Sequence, residues 1–310
     1  MSSVDPKKLA QYLTVTDPSK AWVPERLIYL MTQATVIPSF SAAAIKLGRL
    51  TRDENATVDD LAAVIELDPG LASRCVQVAS SAGYAARRIV SINQALMMLG
   101  MDKIRQIAFT VGVMDKFTHL KSKVNWDDFW LHSILVARLT DRVAAAFRPP
   151  CGSEYLAGLL HDSGKLVLEH YFPEDFDRIV LRAVERSCGH AKVEHEFIGL
   201  THAQIGAAVC ECLQAHVEVL RAVWFHHDPF DSSLDGQPDN SKFLAACVAV
   251  GDALANMAQV NIAGAKASDI PFDQLPEWAY LNQFQMSYGL DLDLEGELAK
   301  AQEDLSAFAS

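Results

Sequence analysis

An all-α fold is what this sequence predicts, and three observations carry the prediction. Alanine and leucine dominate, apolar residues recur at helical spacing along most of the chain, and alternating β-branched runs between turn residues are scarce. At 310 residues the chain is long enough for one large or two small domains with a sizeable core. Hydrophobic residues make up 50% and charged residues 21%, the balance of an ordinary globular protein. No internal repeat is evident.

The elements follow in order. Residues 1–20 are polar and read as a loosely attached helix. Thr57 can cap a helix whose first turn is acidic (Asp59, Asp60) and whose apolar stripe runs to Asp68-Pro69. Pro69 stops that helix and can start the next, Gly70 to Ser80. Ser91 caps Ile92 to Leu99, and Gly100 fits a C-cap. Another helix runs from Asp102 to about Phe117. Segment 119–128 reads as a junction, Pro149-Pro-Cys-Gly152 as a firm loop, and Asp228 to Asn240 as a long turn-rich loop. Leu294 to Ala309 is a last helix. The chain thus divides into an N-terminal helical lobe (1–118), a second lobe (119–264) and a C-terminal helical extension (265–310).

Charge and cysteine usage exclude several classes. The net charge is −12, from 27 basic against 39 acidic residues, so a phosphate backbone repels the chain and no nucleic-acid partner is expected. Local basic patches remain at Arg87-Arg88 and from Lys116 to Lys123. Six cysteines (75, 151, 188, 210, 212 and 247) form no CxxC pair and read as reduced core thiols. No signal peptide opens the chain, and no apolar run approaches the roughly 20 residues a membrane span requires. No membrane partner and a cytoplasmic location are the expectations.

The chemistry concentrates in Leu156-Ala-Gly-Leu-Leu-His-Asp-Ser-Gly-Lys-Leu-Val-Leu168. His161-Asp162 places an ionisable pair in an apolar run, which is costly without a compensating charge or a metal. Lys165, three residues on, projects from nearly the same helix face as Asp162. A metal beside a cation suits a phosphate ester. A buried Asp162–Lys165 ion pair beside a core histidine would leave the same trace. Four further segments repeat the pattern: His132, His202, the pair His226-His227, and Asp252 all sit in or at the edge of apolar helical stretches, where a solvated side chain is not expected. Asp162 is the natural bridge, because a carboxylate can bind two cations at once. Two ions roughly 3.5–4 Å apart can polarise a phosphoryl oxygen and generate a hydroxide nucleophile. Mixed imidazole and carboxylate donors suit iron, zinc or manganese. Asp162 and Lys165 are therefore the catalytic candidates, Lys165 either contacting a phosphate or stabilising Asp162. Asp128, one helical turn before His132, can add an oxygen or orient the imidazole, or simply be exposed. His119, His170, His190, His195 and His216 read as surface or structural.

The order His, His-Asp, Asp with extra histidines between resembles the HD superfamily of metal-dependent phosphohydrolases. The additional His202 and the His226-His227 pair extend the likeness to the HD-GYP phosphodiesterases of cyclic di-GMP. Most of the chain is more similar still to the HDOD family, the HD-related output domain of bacterial signalling proteins. The residues that carry this likeness are Val64-Ile-Glu-Leu-Asp-Pro-Gly-Leu71, Ala79-Ser-Ser-Ala-Gly-Tyr84 and Ser91-Ile-Asn-Gln-Ala-Leu-Met-Met-Leu-Gly100. Tyr155 to Leu166 and Gly199-Leu-Thr-His-Ala-Gln-Ile-Gly206 complete it, from about residue 25 to about residue 255.

The resemblance implies an HD-like helical bundle with an N-terminal lobe, the HDOD module starting near residue 25 and the metal-binding lobe at 119–264. It implies a first metal at His132, His161, Asp162 and Asp252. A second would sit at Asp162, His202, His226 and His227. Two ions are expected, iron first because two-metal HD relatives often use it, then zinc or manganese. The Gly-Tyr-Pro signature of HD-GYP enzymes is missing after His227. HDOD proteins as a group are largely non-catalytic with incomplete metal motifs, yet this chain keeps every ligand position. The expected function is a signal-transduction or regulatory protein with a metal-binding pocket, its partner a signalling protein or a phosphate-containing small ligand. The alternative is an active metal-dependent phosphohydrolase or phosphodiesterase on a nucleotide or cyclic dinucleotide. An oxygen-dependent di-iron enzyme is a third reading.

Overall fold

The computed structural model describes residues 5–32, 43, 46–47, 50, 55–80, 89, 91–114, 124–149, 152–237, 240–261 and 271–309. Ser81 to Tyr84 of the matching stretch, the Arg87-Arg88 and Lys116–Lys123 patches, His119 and Pro150-Cys151 lie outside the described residues. Among the described residues all regular structure is helical and there is no β-strand, as the periodicity predicts.

The N-terminal part holds α1 (Pro6–Leu9), α2 (Trp22–Thr32), α3 (Val58–Glu66), α4 (Pro69–Ala79), α5 (Ile92–Leu99) and α6 (Met101–Met114). Their ends are set by the residues the sequence offers. Thr57 and Asp60 close a reciprocal capping box, Asp68 accepts from the amides of Gly70 and Leu71, and Ser91 accepts from Gln94. Gly100, with φ of 81°, ends α5 in a conformation that a side chain would strain. The first segment departs from the loosely attached helix expected for residues 1–20. Leu9 and Leu13, four apart, are buried in the core, and Lys8 and Tyr12 both reach Glu211. Two apolar residues one turn apart were enough to dock it.

The remaining helices are α7 (Trp126–Ala145), α8 (Ser153–Leu160), α9 (Ser163–Tyr171), α10 (Pro173–Arg186), α11 (His190–Ile198), α12 (His202–Cys212), α13 (Val217–Phe225), α14 (Ser241–Met257), α15 (Pro276–Leu281) and α16 (Leu294–Ala309). The long α7 is the axis: α8, α14 and α16 all pack on it, while α9 packs on α12 and α13 bridges α12 to α14. One contiguous apolar cluster runs from Leu9 to Phe308. The C-terminal helix is clamped to α7 by buried charge. Arg138 donates from Nε to Glu297 at 2.8 Å and from Nη1 to Asp304 at 3.0 Å.

His161 and Asp162 occupy a two-residue turn between α8 and α9 rather than the middle of one helix. His161 keeps helical angles, and Asp162 opens the path with ψ of 5°. Two glycines let the surrounding helices close on this turn. A Cβ on Gly158 would lie 2.6 Å from Ala137 Cα of α7, and one on Gly164 would lie 2.0 Å from the carbonyl oxygen of His202. Only a glycine admits these backbone contacts.

Gly164→Ala should therefore force α9 away from α12 and cost at least about 3 kcal/mol, the upper end for overpacking. Ser163→Ala is its control: the buried Ser163 hydroxyl has no hydrogen-bond partner, and its loss should cost less than about 1 kcal/mol. Urea unfolding of both variants against the parent measures the difference.

Candidate metal centre

The seven ligand candidates and Lys165 are brought to one place. His132 comes from the middle of α7 and Asp252 from α14. His161 and Asp162 come from the turn before α9. His202 is the first residue of α12, where Thr201 and Gln204 form a capping box, and His226-His227 follow α13 directly. Two groups have their ligating atoms within 4.8 Å of one another: His132, His161 and Asp252, and His202, His226 and His227. Asp162 lies between them, with Oδ1 at 3.1 Å from His202 Nε2 and Oδ2 at 3.9 Å from His132 Nε2 and 3.5 Å from His161 Nε2. Lys165 Nζ donates to Asp162 Oδ2 at 2.6 Å.

The hydrogen bonds of the imidazoles say what the clusters lack. His132 Nδ1 donates to the Val260 carbonyl at 2.8 Å, His161 Nδ1 to Gly158 at 2.7 Å and His226 Nδ1 to Val223 at 2.7 Å. His202 Nδ1 donates to Glu194 Oε2 at 2.7 Å. A neutral imidazole has one N–H, so each Nε2 is left with a bare lone pair. The His132 and His161 lone pairs face one another with Nε2 atoms 3.3 Å apart, and the His202 Nε2 lone pair lies 2.9 Å from Nε2 of His227. Asp252 Oδ1 points at His132 Nε2 from 3.2 Å, and the buried His226 Nε2 has no hydrogen-bond partner. Converging acceptors are repulsive unless a cation or a proton stands among them. The donor set fits a divalent ion of the iron, zinc or manganese kind.

Electrostatics follow the same geometry. Burial alone would push the Asp162 carboxyl up, but Lys165, His161 and His202 outweigh it and hold it well below the usual carboxylate range. Burial lowers His132 and His202, yet Asp252 beside the first and Glu194 beside the second leave both raised. His161 and His226 are lowered, chiefly by burial.

Three participants were not read from the sequence as part of the site. Glu194, fully buried, accepts from both Nδ1 and the backbone N–H of His202 at 2.7 Å, fixing its ring. Asn256 donates to Asp252 Oδ1 at 2.9 Å. His190, expected at the surface or in a structural role, is buried and lines the mouth of the same pocket. A signal for two of them existed: His190, Val193, Glu194 and Ile198 share the buried face of α11, so a carboxylate and an imidazole sat at apolar positions of a helical period. Asp128 is exposed in the first turn of α7, and the Val260 carbonyl orients His132 instead.

Such a set of histidine–carboxylate clusters between the helices of an all-α bundle defines an HD-type pocket. The chain belongs to the HDOD family: the HDOD domain profile matches residues 37–229. An HDOD domain protein with unknown function from Geobacter sulfurreducens superposes with a TM-score of 0.71 at 24% identity, covering 93% of this chain and 98% of that one. A "Putative signal transduction protein" from Marinobacter aquaeolei VT8 gives a TM-score of 0.67 at 24% identity, over 98% of this chain and 63% of that one. An uncharacterized protein of Treponema pallidum (strain Nichols) is 23% identical over 243 residues, 77% of this chain. The chain spans 44% of the length of that curated relative. Among the described residues no helix is long and apolar enough to cross a membrane.

Glu194→Gln should keep the fold but weaken metal retention about 10- to 100-fold, the usual cost of losing a carboxylate behind a ligating histidine. Chelator competition against the parent checks this. Acid should loosen the metal-free protein. Burial, then the field of Lys165, lowers His190 from 6.5 to about 4, so the folded state prefers the neutral ring. That contribution, up to about 3 kcal/mol, is complete above pH 6.5 and is lost as pH falls towards 4. Unfolding of chelator-treated parent and His190→Gln at pH 7 and 4.5 should show the smaller loss in the variant.

Proposed function

We propose that this chain is a regulatory protein of bacterial signal transduction whose HD-type pocket holds two divalent ions, with Asp162 between them. One observation carries the reading: two clusters, each with its ligating atoms within 4.8 Å of one another, flank the buried Asp162 carboxylate, which faces His202 on one side and His132 and His161 on the other. His132, His161, Asp162 and Asp252 would hold one ion, and Asp162, His202, His226 and His227 the other. Iron is the first choice of metal, then zinc or manganese. Bound ions would supply Lewis acidity toward phosphoryl oxygens. The chain's own part is to fix the donors, neutralise Asp162 through Lys165 and exclude water from the buried side.

Output through protein contacts is supported by family membership and by the N-terminal lobe, which carries no comparable cluster among its described residues. Its α5 presents Met97 80% exposed and Met98 exposed, and Leu67 at the end of α3 is exposed too, apolar side chains suited to a signalling partner. The name of the Marinobacter relative agrees with this reading. The cell location in this reading is the cytoplasm. A second reading, a phosphohydrolase, is favoured by the complete ligand set together with Lys165 at 2.6 Å from Asp162. Metal-loaded protein screened against phosphomonoesters, phosphodiesters and cyclic dinucleotides separates the two: turnover that depends on metal and on Asp162 supports the enzyme, and its absence the regulatory protein.

Asp162→Ala should strip metal and lower stability together, because both ions lose a shared ligand and metal binding no longer favours the native state. Asp252→Ala touches one cluster, so its metal content should fall by about half. Elemental analysis and thermal melts with and without chelator measure both. An Asp162→Ala protein that keeps its metal and melts like the parent would mean that Asp162 and Lys165 are only a buried ion pair.

A further inference from the structure

The turn-rich loop that follows His226-His227 has a use of its own. None of its described residues lines the metal pocket. It borders instead a second cavity of about 460 Å³, closed by the end of α7, the start of α14 and the residues in and after α15. The two cavities share no lining residue. The volume lies within the range of small-molecule sites, about 300–1,000 Å³.

Four aromatic rings line this cavity in series. Phe147 meets Phe243 at 5.8 Å between centroids, Phe243 meets Phe284 at 5.4 Å, and Phe284 meets Tyr280 at 5.3 Å. Crossed at 78° to 88°, none of these pairs stacks face to face, and Phe284 stays 43% exposed. The two cations of the lining are already paired. Arg148 donates to the buried Glu154 at 3.0 Å, with its guanidinium carbon 4.8 Å from the Phe243 centroid. Lys242 donates to Asp235 at 2.6 Å and lies 5.9 Å from the Tyr280 centroid. Both occupy ring-side places that a cationic ligand would take, and each already has its carboxylate, so an anion gains little. This charge pattern favours an uncharged ligand. Polar contacts come from the amides of Gln237, Asn240 and Gln285, each with donor and acceptor capacity. Gln237 Nε2 donates to the Ser233 carbonyl at 3.0 Å, which leaves its oxygen to accept.

We propose that this cavity is a binding site for an uncharged nucleobase presented by a nucleoside. A nucleobase is planar, neutral at pH 7 and edged with donors and acceptors. Such rings are held by stacking on aromatic side chains and by hydrogen bonds along their edges. Phe284 and Tyr280 supply the faces, and the three amides supply the edge contacts. The site is separate from the metal pocket and stands whether or not that pocket holds ions. Its loop joins His227 to α14, the helix of Asp252, so a nucleoside bound here contacts the segment between two ligand candidates.

The test titrates the full chain with adenosine, guanosine, cytidine and uridine by calorimetry, with and without chelator. At least one should bind with Kd below about 1 mM, unaffected by chelator, and its 5′-monophosphate should bind no tighter. Phe284→Ala should weaken that nucleoside at least about fivefold and Gln237→Ala about two- to tenfold. Phe284→Tyr should retain binding, and all three variants should keep the parent's helical circular dichroism. No binding by any of the four nucleosides overturns the proposal, as does unchanged affinity in both alanine variants. A monophosphate at least about tenfold tighter overturns the uncharged assignment. Binding of N-acetyltryptophanamide in place of the nucleosides makes the cavity a pocket for a partner's aromatic side chain, and overturns it too. So does nucleoside binding that chelator abolishes while the helical circular dichroism is kept, because the base then sits in the metal pocket.

Discussion

Asp162 is the point on which the rest of the molecule converges. A carboxylate buried among leucines needs positive charge around it, and the groups that meet it, besides the adjacent His161, are brought by three helices. Lys165 reaches it from α9, His132 from α7 and His202 from α12. Those helices must approach until their backbones touch, which is why Gly158 and Gly164 stand where they do. The packing of the bundle and the chemistry of the pocket are one constraint seen from two sides.

The imidazoles show how a fold prepares a cation site before any cation is considered. Three of them have Nδ1 committed to a carbonyl, two of which belong to the helical turn just before the ring itself: Gly158 for His161 and Val223 for His226. The local helix thus chooses the tautomer and leaves Nε2 pointing inward. Glu194 does the same for His202 from another helix, and Asn256 holds Asp252 from one turn away. The rings are held by hydrogen bonds that work against their mutual repulsion, and that repulsion is what a divalent ion relieves. The same arrangement ties the site to acid, because protons compete for the positions that metal would take.

The C-terminal helix shows a different use of buried charge. The structure uses its acids for attachment: Glu297 and Asp304 meet Arg138 on α7, the helix that carries His132. The helix that carries His132 is therefore braced by an ion-pair cluster as well as by apolar contact.

The sequence by itself determined the all-α class, several N-terminal helix boundaries through their caps, and seven ligand candidates, because helical period and misplaced polar residues are local signals. His161-Asp162, His202 and His226-His227 were legible because an ionisable residue in an apolar run is anomalous at short range. Other features needed the tertiary structure. The docking of Leu9 and Leu13, the break of the helix at Asp162, the hold of Glu194 on His202 and the place of His190 at the pocket mouth depend on which faces meet across distant segments. Glu194 was recognisable as a carboxylate on an apolar face, but its partner lies on the next helix, and no spacing along α11 names it. Periodicity reports which side of a helix is buried, and only packing decides what it is buried against.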